Sequence, residues 1–149
     1  MTPNEALAYA KKKRLDLKAS RETVPIDAID APWHGPKTVR PDFVARFRAG
    51  SPWPARLPLI LAACENLRCA VIDGSHRLEA ATRAGYKTLP ILAVSRETVN
   101  ELIPLFREDD DALWEHGFPF NEILALYGVS SALVRENREK ERAWDRGLR

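Results

Sequence analysis

Cys69-Ala70-Val71-Ile72-Asp73-Gly74-Ser75-His76-Arg77-Leu78-Glu79-Ala80-Ala81-Thr82-Arg83-Ala84-Gly85 decides how this chain is read. Its four opening residues form an apolar strand, and the residues from Leu78 onward carry the pattern of an amphipathic helix. Between them lies Asp73-Gly74-Ser75-His76-Arg77. A glycine at such a turn accepts positive φ and lets a ligand approach closely. The N–H groups that open a helix, at its positive dipole end, favour an anion. Ser75 is placed to cap the helix, Arg77 offers a bidentate fork for phosphate, and His76 titrates near neutral pH. The concentration of these groups predicts a phosphate-binding turn at Gly74, Ser75, His76 and Arg77. The plainer alternative is a structural turn with a capping serine and a surface arginine.

Working outward, residues 57–63 read as a buried strand, and Glu65-Asn66-Leu67 reads as a hairpin connection to residues 69–73. Gly85 suits a helix C-terminus, residues 89–94 a further strand, and Ser95 the cap of another helix. Upstream, the alternation in Val24-Pro25-Ile26-Asp27-Ala28-Ile29 predicts a short first strand. A Pro/Gly-rich loop, residues 31–37, separates it from a helix over 41–49. Pro41 stands at that helix's first position and Gly50 at its end. Residues 3–18 read as a helix opened by Pro3 and Asn4. Beyond residue 100 the pattern is helical, chiefly over 101–106, 120–127 and 131–144.

One domain with a helical appendage is the expectation for 149 residues: an N-terminal helix over 1–22, a core over 23–98 and a helical extension over 99–149. Hydrophobic residues make up 45% of the chain, enough for a core, and the net charge is +2. That balance does not by itself imply nucleic acid, so any such surface would have to be a local patch. The longest apolar stretch, residues 57–64, is far short of the roughly 20 residues of a membrane helix, and no secretory signal follows Lys11-Lys12-Lys13-Arg14. The expectation is a cytoplasmic protein, away from membranes, with Cys64 and Cys69 as reduced, buried thiols; their spacing fits no strong metal or redox pattern.

Residues 23–94 resemble the N-terminal domain of the ParB/sulfiredoxin superfamily. The match rests on Val71-Ile72-Asp73-Gly74-Ser75-His76-Arg77-Leu78-Glu79-Ala80-Ala81, flanked by Val24-Pro25-Ile26-Asp27-Ala28-Ile29, Pro58-Leu59-Ile60-Leu61 and Ala84-Gly85-Tyr86-Lys87-Thr88-Leu89-Pro90-Ile91. The resemblance implies an α/β (α+β) fold, a mixed sheet with flanking helices, followed here by the helical extension. It implies one of several activities. Partition proteins of the family bind CTP at the turn and hold DNA with a helix-turn-helix. Sulfiredoxins use ATP and a cysteine just before the His-Arg pair. Free-serine kinases carry a D-G-x-H-R turn and phosphorylate a small hydroxyl compound. Serine at position 75 speaks against sulfiredoxin chemistry, and His76 brings the turn closer to the kinase type.

The leading expectation is therefore an enzyme, a phosphotransferase or nucleoside triphosphatase. It would bind ATP or another nucleoside phosphate with Mg²⁺ and act on a small-molecule substrate. Asp73 is the candidate metal ligand, and Asp73, His76 and Asp30 are the candidate catalytic groups. Asp42 and Glu79 are further carboxylates without a motif of their own, and no glutamate lies between Glu22 and Glu65, where the family's kinases carry one. His34 and Arg40 are candidate substrate contacts. The competing reading is a partition-like DNA-binding or regulatory protein, non-catalytic or CTP-switched, with a helix-turn-helix over 120–140. Gly128 and Val134 have that spacing, but Leu124 stands where a small residue is usual, and the second helix has mixed charge. DNA is thus the less favoured partner.

Overall fold

The computed structural model describes residues 1–31, 38–106, 120–127 and 132–145. His34, the acidic run at 109–111 and the proposed helix-turn-helix corner at 128–131 lie outside the described residues. Helix α1 (Pro3–Lys13) has Pro3 in its first turn, and the Thr2 hydroxyl accepts from the Glu5 N–H at 3.2 Å. It stops short of the expected residue 18 because Arg14 turns left-handed, φ +56°, and its N–H closes back on Ala10 and Lys11.

The single strand expected over 24–29 is two strands. Strand β1 (Ser20–Pro25) pairs antiparallel with β5 (Thr88–Ser95). A 3₁₀ turn over Ile26–Ala28 follows, and β2 (Ile29–Asp30) then pairs parallel with β4 (Arg68–Asp73). Proline cannot donate to a ladder, so Pro25 is a natural end for β1. With β3 (Ile60–Glu65) at its centre, the sheet has the order β1-β5-β3-β4-β2 among the described residues. β3 runs parallel to β5 and antiparallel to β4. β1 and β2 are the two edges, yet only the 3₁₀ turn separates them in sequence. Four residue steps span at most about 14 Å, so the sheet must curl to bring its edges together at that end.

This is the α+β, mixed-sheet architecture implied by the order of the motifs. Its central strands are buried on both faces, which is why they read as apolar runs and not as alternation. Leu59, Leu61, Ala63, Leu92 and Val94 share one cluster with Ala6 and Ala10 of α1. The same cluster takes in Val99 and Leu102 of α4 (Arg96–Leu102), Phe120, Ile123 and Leu124 of α5 (Phe120–Tyr127), and Val134 of α6 (Ala132–Asp145). Ile60, Ala62, Ile91 and Ala93 face the other way, toward Leu78, Ala80 and Ala81 of α3 (Ser75–Arg83) and toward Phe47 and Tyr86. The helical extension therefore packs onto the same sheet that ends in the turn.

Two further differences from the sequence reading are local. The helix expected over 41–49 is regular only at α2 (Pro41–Val44); beyond it the chain continues in i→i+3 turns such as Phe47 N–H to Val44 O, 3.0 Å, as far as Gly50 at φ +81°. The cysteines are not reduced thiols: Cys64 and Cys69 face each other across β3 and β4 and form a disulfide, Cα–Cα 4.2 Å. The cause is the hairpin. Asn66 and Leu67, both at positive φ, make a two-residue loop. A loop of that length puts residues five apart directly opposite one another. Ser95 caps α4 as expected, its hydroxyl accepting from Thr98 N–H at 3.4 Å.

Candidate functional site

The turn divides into an inward and an outward half. Gly74 has φ +113°, and a Cβ built on it would come within 3.2 Å of the Ile60 Cα and of the Arg77 Cζ. The room left by this glycine is filled by the protein itself. Gly74 also occupies the cap position of α3, its carbonyl accepting from Leu78 N–H at 2.9 Å, and no side chain caps the helix. Ser75 is thus corrected from cap to first helical residue; a capping side chain must come from the extended residue before the helix.

Arg77 belongs to the inward half. It is only 5% exposed. Its guanidinium donates to the carbonyls of Pro58 and Leu59, both at 2.9 Å, and to Glu141 Oε1 of α6 at 3.1 Å. Asp73 Oδ2 lies 3.5 Å from the same guanidinium and accepts from Asn121 Nδ2 of α5 at 2.7 Å. Asn137 of α6 is buried and accepts the Leu59 N–H at 2.7 Å. The fork expected to face phosphate is therefore committed to the start of β3 and to the C-terminal helix. Burial drives the Glu141 carboxyl up to about 7; attraction to Arg77 opposes this, and neighbouring Asp73 reinforces it. Two carboxylates share one guanidinium, and the more buried of them, Glu141, is the one whose burial favours the protonated form.

His76 belongs to the outward half. It is exposed and lines a cavity of about 520 Å³ together with Arg40, Asp42, Phe43, Arg46 and Trp144. Phe43 and Trp144 meet edge to face, ring centroids 5.2 Å apart. Arg40 is paired with Asp42 at 3.2 Å. The fold thus gathers an imidazole, two guanidiniums and two aromatic rings beside the N-terminal end of a nine-residue helix. Basic groups and a helix start favour phosphate, and aromatic faces favour a planar base.

The other candidates are placed elsewhere. Asp30 is paired in register with Ala70 and holds Arg68 through both carboxylate oxygens, at 2.8 and 2.9 Å; it does not line the cavity. Glu79 is tied to Arg83 at 3.0 Å. A magnesium ion at Asp73 would have to displace the Asn121 amide or sit against Arg77. Among the described residues no three His, Cys, Asp or Glu side chains converge on a metal position. The residues present do not fit a resident magnesium ion, and no step is assigned to one. Sequence reading missed Arg46, Trp144, Asn121, Asn137 and Glu141. Arg46 carries a faint signal, as a lone cation within the aromatic run Phe43-Val44-Ala45-Arg46-Phe47. The four residues from the extension carry none, since nothing local marks which side of a charged helix will be buried.

No family model and no curated protein matches the chain. In structure the chain is similar to the C-terminally truncated chromosome-partitioning protein ParB from Caulobacter crescentus, solved in complex with CTP-gamma-S, with a TM-score of 0.40 and 22% identity. That likeness covers 71% of this chain and 63% of the ParB chain. Among the described residues no helix is long and apolar enough to cross a membrane.

Proposed function

We propose that this chain binds a nucleoside phosphate in the cavity between the start of α3 and residues 38–46. The observation that carries the reading is the meeting of His76 with Arg40 and Arg46 at a helix N-terminus, beside Phe43 and Trp144. In this reading the phosphates lie against His76, Arg46 and the opening N–H groups of α3, and the base lies near the aromatic pair. Arg77, Gly74 and Asp73 hold the turn in shape and leave His76 facing outward. Magnesium enters, in this reading, on the nucleotide's own phosphates and water, which supply most of its ligands.

The enzymatic version is transfer of the terminal phosphate to a small hydroxyl compound or to water, with ATP as the nucleotide. His76, at the cavity wall, is the group best placed to bear on the reacting phosphate. Asp42 is the carboxylate in the same wall. Asp30 would need a different arrangement of the chain to take part. The partition-like alternative draws on α5 and α6 as a helix pair, but α6 buries Val134, Asn137 and Glu141 against the domain, and its exposed side mixes Arg135 and Arg142 with Glu136 and Glu139.

Titration of the full chain with ATP and CTP, followed by calorimetry and thermal unfolding, tests the reading. A nucleotide at about 100 times its Kd stabilises by about 2.7 kcal/mol. Turnover without DNA selects the enzyme. Salt-dependent DNA retention without turnover selects the partition-like alternative. Absence of binding by either nucleotide overturns the nucleotide reading.

A further inference from the structure

A second cavity of about 460 Å³ adjoins the first, and the two share Arg46 and Trp144 as lining residues. The second is lined also by Arg48 and Arg56. Three guanidiniums therefore border one concave surface. All three arginines are exposed. Arg40, Arg68, Arg77 and Arg83 are each matched by a carboxylate. Arg46, Arg48 and Arg56, like the exposed Arg14 and Arg21, are not: among the described residues, no ion pair or side-chain hydrogen bond engages their guanidiniums, and what sets these three apart is that they border one cavity. Across residues 38–59 the only acid is Asp42, and it is taken by Arg40. Uncompensated like charges around a cavity repel one another and concentrate anions there.

We infer that the Arg46–Arg48–Arg56 cavity is a second anion subsite, built for a phosphate-bearing group that sits next to the ligand of the first cavity. Guanidinium forks match phosphate oxygens in pairs, and three of them suit a diphosphate better than a single carboxylate. Trp144 stands on the boundary, so one ligand can pass from one cavity to the other along an aromatic wall. Two sources supply the same chemistry: the distal half of a dinucleoside polyphosphate spanning both cavities, or a separate phosphorylated co-ligand. The subsite extends the nucleotide reading of the first cavity but rests on its own residues.

The probe is inorganic pyrophosphate, titrated into the full chain while the arginine side-chain N–H resonances are followed by NMR. Shifts at Arg48 and Arg56 are expected. They should persist in His76→Ala, and affinity should fall about tenfold or more in Arg48→Gln/Arg56→Gln, the scale of lost charge-assisted hydrogen bonds. ATP affinity should stay within about threefold in that double variant, because neither residue lines the first cavity; this bound is set against the tenfold steps of affinity. A spanning ligand is identified if a dinucleoside tetraphosphate binds more tightly than ATP and displaces pyrophosphate. A separate co-ligand is identified if pyrophosphate still binds with ATP saturating. The subsite is overturned if pyrophosphate leaves Arg48 and Arg56 unshifted, or if the double variant binds it as the wild type does. Failure of the nucleotide reading looks different: no ATP binding, with the pyrophosphate response intact.

Discussion

His76 and Arg77 are neighbours on one turn and have opposite surroundings. His76 is exposed on a cavity wall with Arg40 and Arg46. Arg77 is buried and bonded to two carbonyls and a carboxylate. Both residue types are phosphate-friendly, and a sequence reading gives both the same task. The difference teaches that a turn with one exposed residue at a cavity wall has an inward half that fixes it. Here the inward half reaches through α5 and α6, so the helical extension and the turn form one mechanical unit.

The sharpest way to break this comparison is Arg77→Ala. Removing one partner of a buried pair strands the other, and a loss of about 3–5 kcal/mol in urea unfolding is expected. If the variant is as stable as the wild type but no longer binds nucleotide, Arg77 faces ligand after all, and the division of the turn is wrong.

Glu141 tests the same network by pH. Its folded value of about 7 stands above the ordinary 4.5 for such a group. A raised acid contributes stability that is full below the unfolded value and is lost as pH rises through the folded one. Stability should therefore decline from about pH 4.5 to about 7, by up to about 3 kcal/mol, which is the shift converted at 1.36 kcal/mol per unit. Glu141→Gln should flatten that slope while preserving the fold, as followed by denaturant midpoints across the range. An identical slope in the variant would assign the effect to other groups.

Gly74→Ala places a methyl within 3.2 Å of Ile60 and Arg77 at a φ that L-residues avoid. A cost of about 1–3 kcal/mol is expected from the strained backbone, read as a lower unfolding midpoint. A neutral outcome would mean the turn relaxes freely, and with it the inward half.

His76→Ala should move stability least, with Tm within a few degrees, since an exposed residue away from special features contributes little. Its effect belongs to binding: about a tenfold loss of nucleotide affinity, or about 1.4 kcal/mol, measured by calorimetry. A variant that unfolds instead would make both residues of the pair structural.

The three central strands, the turn, α3, α5 and α6 were legible because each is a local pattern: apolar runs, Gly74 after Asp73, Gly85 at a helix end. The hairpin was legible at Asn66, yet the Cys64–Cys69 pairing was not drawn from it, because register depends on a loop only two residues long. The split of residues 24–29 between opposite sheet edges was not legible either. Both halves have the same alternation, and only pairing with β5 or β4 distinguishes them.

By itself the sequence determined that a strand ends in a glycine turn carrying a histidine and an arginine, because backbone conformation there is dictated by residues adjacent in the chain. Which of the two would be buried and which would line the cavity was decided by the tertiary structure. Asn121, Asn137 and Glu141 lie far along the chain and reach Asp73, Leu59 and Arg77 only when α5 and α6 dock on the sheet. Buried polar groups must find partners, so where the extension lands determines which guanidinium is consumed and which, like that of Arg46, is left facing solvent.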